Sequence, residues 1–340
     1  MTRLSASLIY GRTSIEDIVE LIRCLEDAGY DRVWLGEAWR EPVVPVTAAA
    51  VQTTTVGLGT AISQIYPVNP VIAAQQAAQI QEVAKGRFAL GLGLGAGFVV
   101  ERWYGVPYER PLRRAREFID IVRGVLASPE TGPFSYTGEV LSTHKYTLAF
   151  SDEAVHVPIH LAAVGPRMQE LAGELADGII VGALHSPAYM DEMQERLTTG
   201  AARAGRDVAG VDIWYYLTCC VSEDGDRARR LARGSLVYLS QYPHYMAVYE
   251  REGRGEVARQ IAELVRARDM DGAEALVTDA MIEQFTIAGT PAECRAQLKR
   301  FEAYPGTPVL HMIPFRIDEA EARESVRLSA QLLVGSRPRA

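Results

Sequence analysis

The chain has little of what several common chemistries require. Four cysteines in 340 residues, at positions 24, 219, 220 and 294, show no C-x-x-C spacing. Adjacent Cys219 and Cys220 in a strand point to opposite faces, so nothing suggests a disulfide framework, and a reducing cytoplasm is the simple expectation. No uninterrupted apolar run approaches about 18 residues, and the amino terminus lacks a charged-then-apolar signal pattern. Neither export nor a membrane span is therefore expected. Basic blocks are missing too: the net charge is −8, with no stripe to neutralise phosphates, which argues against a nucleic-acid partner. G-x-S-x-G, H-E-x-x-H and the Walker loop are all absent. His156 and His160 are four apart, but Pro158 between them rules out a two-histidine helical face, and no metal site is expected.

What the chain does have is a repeated alternation of helix and strand in an ordinary globular composition, 48% apolar and 23% charged. Leu4 to Tyr10 reads as a strand. Ser14 caps a helix with Glu16 and Asp17 in its first turn and Gly29 at its end, and Asp31 to Gly36 is a short buried strand. The phrase of helix, small residues, apolar strand and exit glycine returns at Ala84 to Gly91 and at Ala176 to Gly182. Further strands fall at 55–62, 157–163, 211–221 and 307–313, eight in all, with helices near 70–84, 111–127, 166–176, 187–204, 224–240, 250–268, 279–285, 290–302 and 318–333. That alternation predicts a parallel sheet with helical crossovers, closed as a (β/α)₈ TIM barrel, in one domain over 1–334 with a frayed tail from 335 to 340. Two insertions stand out, after strands 4 and 7. Residues 134–150 alternate like a small hairpin. The excursion holding Tyr238, Tyr242, His244, Tyr245, Met246 and Tyr249 follows strand 7, and both are expected at strand C-terminal ends, where barrels build active sites.

The densest signal is Gly86-Arg-Phe-Ala-Leu-Gly-Leu-Gly-Leu-Gly-Ala-Gly97. Alternating glycines at a strand exit allow a ligand close to the backbone. Gly91-x-Gly93-x-x-Ala96 also matches a dinucleotide fingerprint, but that motif needs a helix at the third small residue and an acid at the end of the next strand about 20 positions on. Residues 98–107 read as a loop and Glu117 falls inside a helix, so the fingerprint is set aside.

Other strand ends offer candidates, each with a plainer alternative. Thr60 to Pro70 is a rigid two-proline loop or simply a βα connection. His160 to Pro166 ends a strand and opens a helix, where free amides around Val164 and Gly165 suit a phosphate, and where an ordinary tight turn would look the same. Glu37 and Trp39 follow strand 2 as a possible pocket wall, or as an exposed acid and a packing indole. His144, in the hairpin, is the histidine placed nearest a ligand, or a solvated loop residue.

Taken together, Ala28-Gly-Tyr-Asp-Arg-Val-Trp-Leu-Gly-Glu37, the loop 60–70, Gly86 to Gly95, Val100 to Pro111, Leu161-Ala-Ala-Val-Gly-Pro166, Leu171 to Gly178 and Phe285 to Cys294 resemble the luciferase-like superfamily of (β/α)₈ flavin and deazaflavin oxidoreductases, in particular its coenzyme F420 branch. The resemblance implies a non-prolyl cis peptide at Ala61–Ile62 behind the deazaflavin, with Ser63 beside it. It further implies a phosphate turn at Ala162, Ala163, Val164, Gly165 and Pro166, and strand-four backbone at Gly93 and Gly95 beside the ring. Where F420-dependent sugar-phosphate and alcohol dehydrogenases carry Asp-His, this chain has Glu37-Ala38, and Ala96 replaces a strand-four carboxylate of the sugar-phosphate enzymes. Alcohol oxidation thus lacks its base. The expected activity is hydride transfer between F420 and a small organic substrate, in the reductive direction onto C=C or C=N, with Glu37 as proton donor or ring partner and Trp39 and His144 in the substrate pocket. An FMN-dependent monooxygenase and a non-catalytic F420-binding barrel are the alternatives, and a homodimer is expected.

Overall fold

The structure is a computed structural model that describes residues 3–8, 11–311, 313 and 315–333. The last residues expected in the first strand and the 335–340 tail lie outside the described residues. The strands are β1 (Ser5–Leu8), β2 (Arg32–Leu35), β3 (Gly57–Thr60), β4 (Ser63–Gln64), β5 (Phe88–Gly93), β6 (Phe134–Thr137), β7 (Ser142–Tyr146), β8 (Ile159–Ala162), β9 (Gly178–Val181), β10 (Asp212–Val221), β11 (Thr286–Gly289) and β12 (Thr307–His311). Eight of them hydrogen-bond in the closed order β1-β2-β3-β5-β8-β9-β10-β12, with β12 returning to β1. The fold is a (β/α)₈ barrel built on the eight expected strands. By compactness the chain divides into two units, Met1–Val33, Val181–Met193 and Trp214–Ala340, and Trp34–Ile180 with Gln194–Ile213.

In the first unit, helix Ile15–Ala28 shows how local sequence sets the elements. The Ser14 hydroxyl accepts the Asp17 amide, Gly29 closes the helix at φ 88°, and Ile18, Val19, Leu21, Ile22 and Leu25 are buried. β10 is long enough to serve two partners: Trp214–Thr218 pairs with β12, and Thr218–Val221 pairs with β11. β11 is a further parallel strand outside the closed eight that the sequence does not announce, because four residues between two helices are too short to show a period. The excursion after β10 also differs from the expected long helix at 250–268. Gly253, at φ 70°, separates helix Pro243–Arg251 from helix Gly255–Arg266. Its tyrosines pack mostly on one another: Tyr242 donates to the Tyr238 hydroxyl at 2.6 Å, and the buried Tyr249 donates to the Leu236 carbonyl at 3.3 Å.

In the second unit the core is filled by large rings seated on glycines. A Cβ at Gly59 would lie 2.5 Å from the Trp34 ring, and one at Gly178 would lie 2.1 Å from the His160 ring. Trp34 and His160 meet edge to face at 5.3 Å. His160 is thus a packing residue, while His156 is exposed. Two helices go beyond the sequence reading. Val43–Gln52 is apolar almost throughout, so it lacks the one-sided pattern that declares a helix. Gly97–Arg102 begins directly after Ala96, where a loop was expected. It runs for only six residues and is followed by no acid at a strand end, so the barrel assignment still excludes a dinucleotide unit.

The hairpin β6–β7 exists as expected and is antiparallel, but its place is corrected. It follows helix Pro111–Thr131, not the end of a strand. The Glu117 carboxylate on that helix accepts the amides of Glu139, Val140 and Leu141 at 2.7 to 2.9 Å, which fastens the hairpin tip to the helix.

Candidate active site

The site is built where β3 breaks. β3 ends at Thr60, the Ala61–Ile62 peptide is cis, and β4 resumes pairing with β5 at Ser63 and Gln64. Across the break the Thr60 hydroxyl does the work of a ladder partner. It accepts the Gly91 amide at 3.0 Å and donates to the Gly91 carbonyl at 2.8 Å. The Ala61 amide donates to Leu35 at 2.8 Å and the Glu37 amide donates to Ile62 at 3.2 Å, so both sides of the cis bond are tied to the exit of β2.

The glycines of β5 make room for this break. A Cβ at Gly91 would stand 1.9 Å from the Thr60 carbonyl oxygen, and one at Gly93 would stand 2.6 Å from Ile62 Cδ1. At Gly95 it would stand 2.0 Å from Gln64 Oε1, and φ there is 73°. The missing side chains of Gly93 and Gly95 are thus filled by Ile62 and Gln64, which the sequence-based expectation of bare backbone did not include.

Glu37 closes the arrangement. Its Oε2 accepts the Gln64 amide at 2.8 Å and its Oε1 accepts the Tyr104 hydroxyl at 2.8 Å. Burial pushes the Glu37 carboxyl above the usual range, against the lowering effect of those two donors. The Tyr104 phenol is itself pushed up to about 12, by burial first and then by Glu37. Tyr104 is delivered by the turn after helix Gly97–Arg102. Tyr66 anchors that turn by donating to the Glu109 carbonyl at 2.9 Å, stacking on Tyr108 at 4.9 Å and lying under the Arg114 guanidinium at 4.6 Å.

Beside Glu37 is a cleft of about 680 Å³ lined by Trp39, Ser63, Trp103 and Tyr104 among others. Trp39 and Trp103 are 63% and 54% exposed, so two indoles stand open at its edge. His144 is exposed on β7 and is not among the lining residues, so the structure does not bring it to Trp39. Glu37, Trp39, Ala61, Ile62 and Ser63 are brought together. Sequence reasoning missed Tyr104 and Gln64 as partners of Glu37. Tyr104 is 67 positions away in sequence, and only the register of β4 on β5 turns the Gln64 amide toward the carboxylate.

The turn Ala162 to Pro166 lies at the exit of β8. Gly165 is the N-cap of helix Pro166–Leu175, and among the described residues no side chain caps it and a Cβ there would find nothing within 4 Å. Its shape is held from behind: Gln169 donates to the Val164 carbonyl at 3.1 Å, and Arg196 donates to Gln169 Oε1 at 3.0 Å. An uncapped helix start with open space in front suits an anion. No group of three or more His, Cys, Asp or Glu side chains able to hold a metal ion occurs among the described residues, and none of their helices is long and apolar enough to cross a membrane.

Residues 1–307 match the family model described as luciferase-like monooxygenase. Two 5,10-methylenetetrahydromethanopterin reductases are similar along most of their length. The protein of Archaeoglobus fulgidus is 29% identical over 92% of this chain and 93% of its own. That of Methanolobus tindarius is 31% identical over 83% and 85%. Among solved structures, the coenzyme F420 dependent tetrahydromethanopterin reductase of Methanopyrus kandleri superposes with a TM-score of 0.84 at 25% identity, covering 98% of this chain and 99% of its own. The match over residues 1–307, on a barrel that superposes along nearly its whole length, places the chain: the protein belongs to the luciferase-like family.

Proposed function

We propose that this chain is an F420-dependent oxidoreductase that reduces a C=C or C=N bond of a small organic substrate. The observation that carries the reading is Glu37: a half-buried carboxyl, raised above its usual range and held by two donors, facing a cleft at the exit of β2. A carboxyl raised above its ordinary range holds its proton to higher pH than a free one and is the better suited to act as a general acid. The reductase relatives support the reductive direction.

The residues present fit the deazaflavin cofactor. Gln64 Oε1 is buried and receives no donor among the described residues, which leaves it as an acceptor for a ring N–H. The turn at Gly165 is open for a phosphate. When bound, F420 supplies a hydride donor, and the chain supplies orientation and a water-poor face. Gln64 would fix the ring edge, the Gly165 turn the phosphate, and Glu37 the proton, with Tyr104 holding the carboxyl in place. The description of the family as monooxygenases favours one second reading, FMN with oxygen-dependent turnover. Parallel fluorescence titrations with F420 and FMN separate the two.

We also propose a homodimer. Val44 and Val51 on helix Val43–Gln52 and Ile72 and Val83 on the neighbouring helix Pro70–Val83 are exposed apolar side chains that a second copy would cover.

A further inference from the structure

Three neighbouring strands of the first unit turn polar side chains to one face. Ser7 of β1 stands opposite His311 of β12, and His311 stands opposite Thr218 of β10. Paired residues of parallel strands project to the same side, and Tyr216, two positions before Thr218, joins them. The other face of β10 belongs to the surrounding helices and turns, where the Tyr215 hydroxyl donates to the Phe301 carbonyl at 3.2 Å. Ser7, Tyr216, Thr218 and His311 therefore point inward. His311 is the last residue of β12 and Ser7 the last but one of β1, at the C-terminal strand ends where barrels place their chemistry.

Tyr216 is fixed from three sides. His185 Nε2 donates to its carbonyl at 2.9 Å, its ring packs on His311 with centroids 4.9 Å apart, and the Ser7 hydroxyl lies beside its phenol. Tyr216 is only half-buried, so part of it stays open.

Thr218 and His311 are not so provided. They are 0% and 5% exposed, yet Thr218 Oγ1 and His311 Nδ1 meet no hydrogen-bond partner among the described residues, and they do not bond to one another. Buried polar atoms are nearly always paired, so two left over side by side await a ligand group or a water. The His311 imidazole hydrogen-bonds the backbone of Ser7. With Nδ1 unpartnered, that bond belongs to Nε2–H, and Nδ1 presents a lone pair. The Thr218 hydroxyl beside it can donate. None of the four side chains is acidic, and burial keeps His311 neutral, so the wall suits an uncharged group that offers an N–H to one residue and a C=O to the other.

We infer that this wall anchors the substrate through a neutral amide-type group, a ring lactam or a carboxamide, with His311 Nδ1 accepting the N–H and the Thr218 hydroxyl donating to the C=O. The inference rests on the reading of the chain as an oxidoreductase of a small organic substrate, and adds the group by which that substrate is held. The Tyr216 ring, fixed by His185, Ser7 and His311, gives the flat amide a surface to lie against.

The test is calorimetric titration of the full chain, with and without F420, using 2-quinolone and N-methyl-2-quinolone as probes. N-methylation removes the N–H and keeps the C=O. A site built to hydrogen-bond a group rejects the analogue lacking it, so 2-quinolone is expected to bind at least about tenfold tighter. His311→Phe should bring the ratio of the two affinities close to one. Thr218→Val should weaken both probes alike, and because it removes a hydroxyl that has no partner among the described residues, it should melt no lower than the parent. Equal affinities in the parent, no heat of binding from either probe, or a Thr218→Val variant that binds both probes unchanged would overturn the inference. So would a Thr218→Val variant that melts lower with binding intact, which would assign the two atoms to a structural water, or one that loses F420 affinity instead, which would assign them to the cofactor ring. A probe preference that persists in a chain unable to bind F420 would overturn the F420 reading and leave the anchor standing.

Discussion

The Tyr104 hydroxyl donates a 2.8 Å hydrogen bond to Glu37 Oε1, joining residues from two different strand exits. This donor favours the ionised carboxylate and so lowers the Glu37 pKa against the larger effect of burial. Tyr104→Phe removes it, and the Glu37 pKa should rise further. If Glu37 donates the proton, the alkaline limb of the pH–rate profile should move to higher pH in that variant. An unmoved limb would separate Tyr104 from the acid.

Glu37→Gln keeps the shape and loses the proton. A general acid contributes roughly 10²–10⁴-fold, so turnover should drop by at least about a hundredfold. Stability should not follow. With a folded pKa raised above its ordinary 4.5, Glu37 stabilises the fold most fully below that value and loses the contribution as pH rises through the folded pKa. At neutral pH the glutamine variant should therefore melt no lower than the parent. Full turnover in steady-state assays would remove Glu37 from the role.

The glycines of β5 should differ in tolerance according to what fills their space. Gly91→Ala meets the backbone carbonyl of Thr60 at 1.9 Å and Gly93→Ala meets the end of the Ile62 side chain at 2.6 Å. Overpacking costs about 1–3 kcal/mol, and the rigid obstacle at Gly91 should give the larger loss in a denaturant titration. Gly165→Ala, with open space and φ −84°, should unfold like the parent.

Acid should destabilise the protein through two buried histidines. Burial holds His185 and His311 down at about 4, against an ordinary 6.5, although each also gains an opposing hydrogen bond. Because the unfolded chain takes up these protons first, stability is complete above about pH 6.5 and falls as the pH drops toward 4. A His185→Gln/His311→Gln variant should show a flatter melting temperature across that window.

The exposed valines and isoleucine give the dimer a direct test. Val51→Glu with Ile72→Glu should shift the protein toward the monomer in light scattering behind a sizing column. A parent that is already monomeric would end the proposal.

Much of the barrel was legible because its signals are local. Ser14 and Gly29 bound one helix by capping chemistry alone, and strands such as Arg32–Leu35 and Gly178–Val181 carry short apolar runs that end at a glycine. The position of the cis bond could be read only by resemblance, since nothing in Ala61-Ile62 itself favours that geometry. What could not be read is long-range. β11 is four residues long, helix Val43–Gln52 has no polar face, and the hairpin's place depends on Glu117 gathering three amides. The Glu37–Tyr104–Gln64 arrangement depends on the register of β4 against β5, which no sequence period encodes.

The cofactor decides the rest. A titration of the purified protein with F420 and FMN in parallel, followed by fluorescence, should show micromolar or tighter binding of F420, weakened when Gln64 is replaced by alanine. Tight FMN binding with no response to F420 would contradict the proposed function at its root.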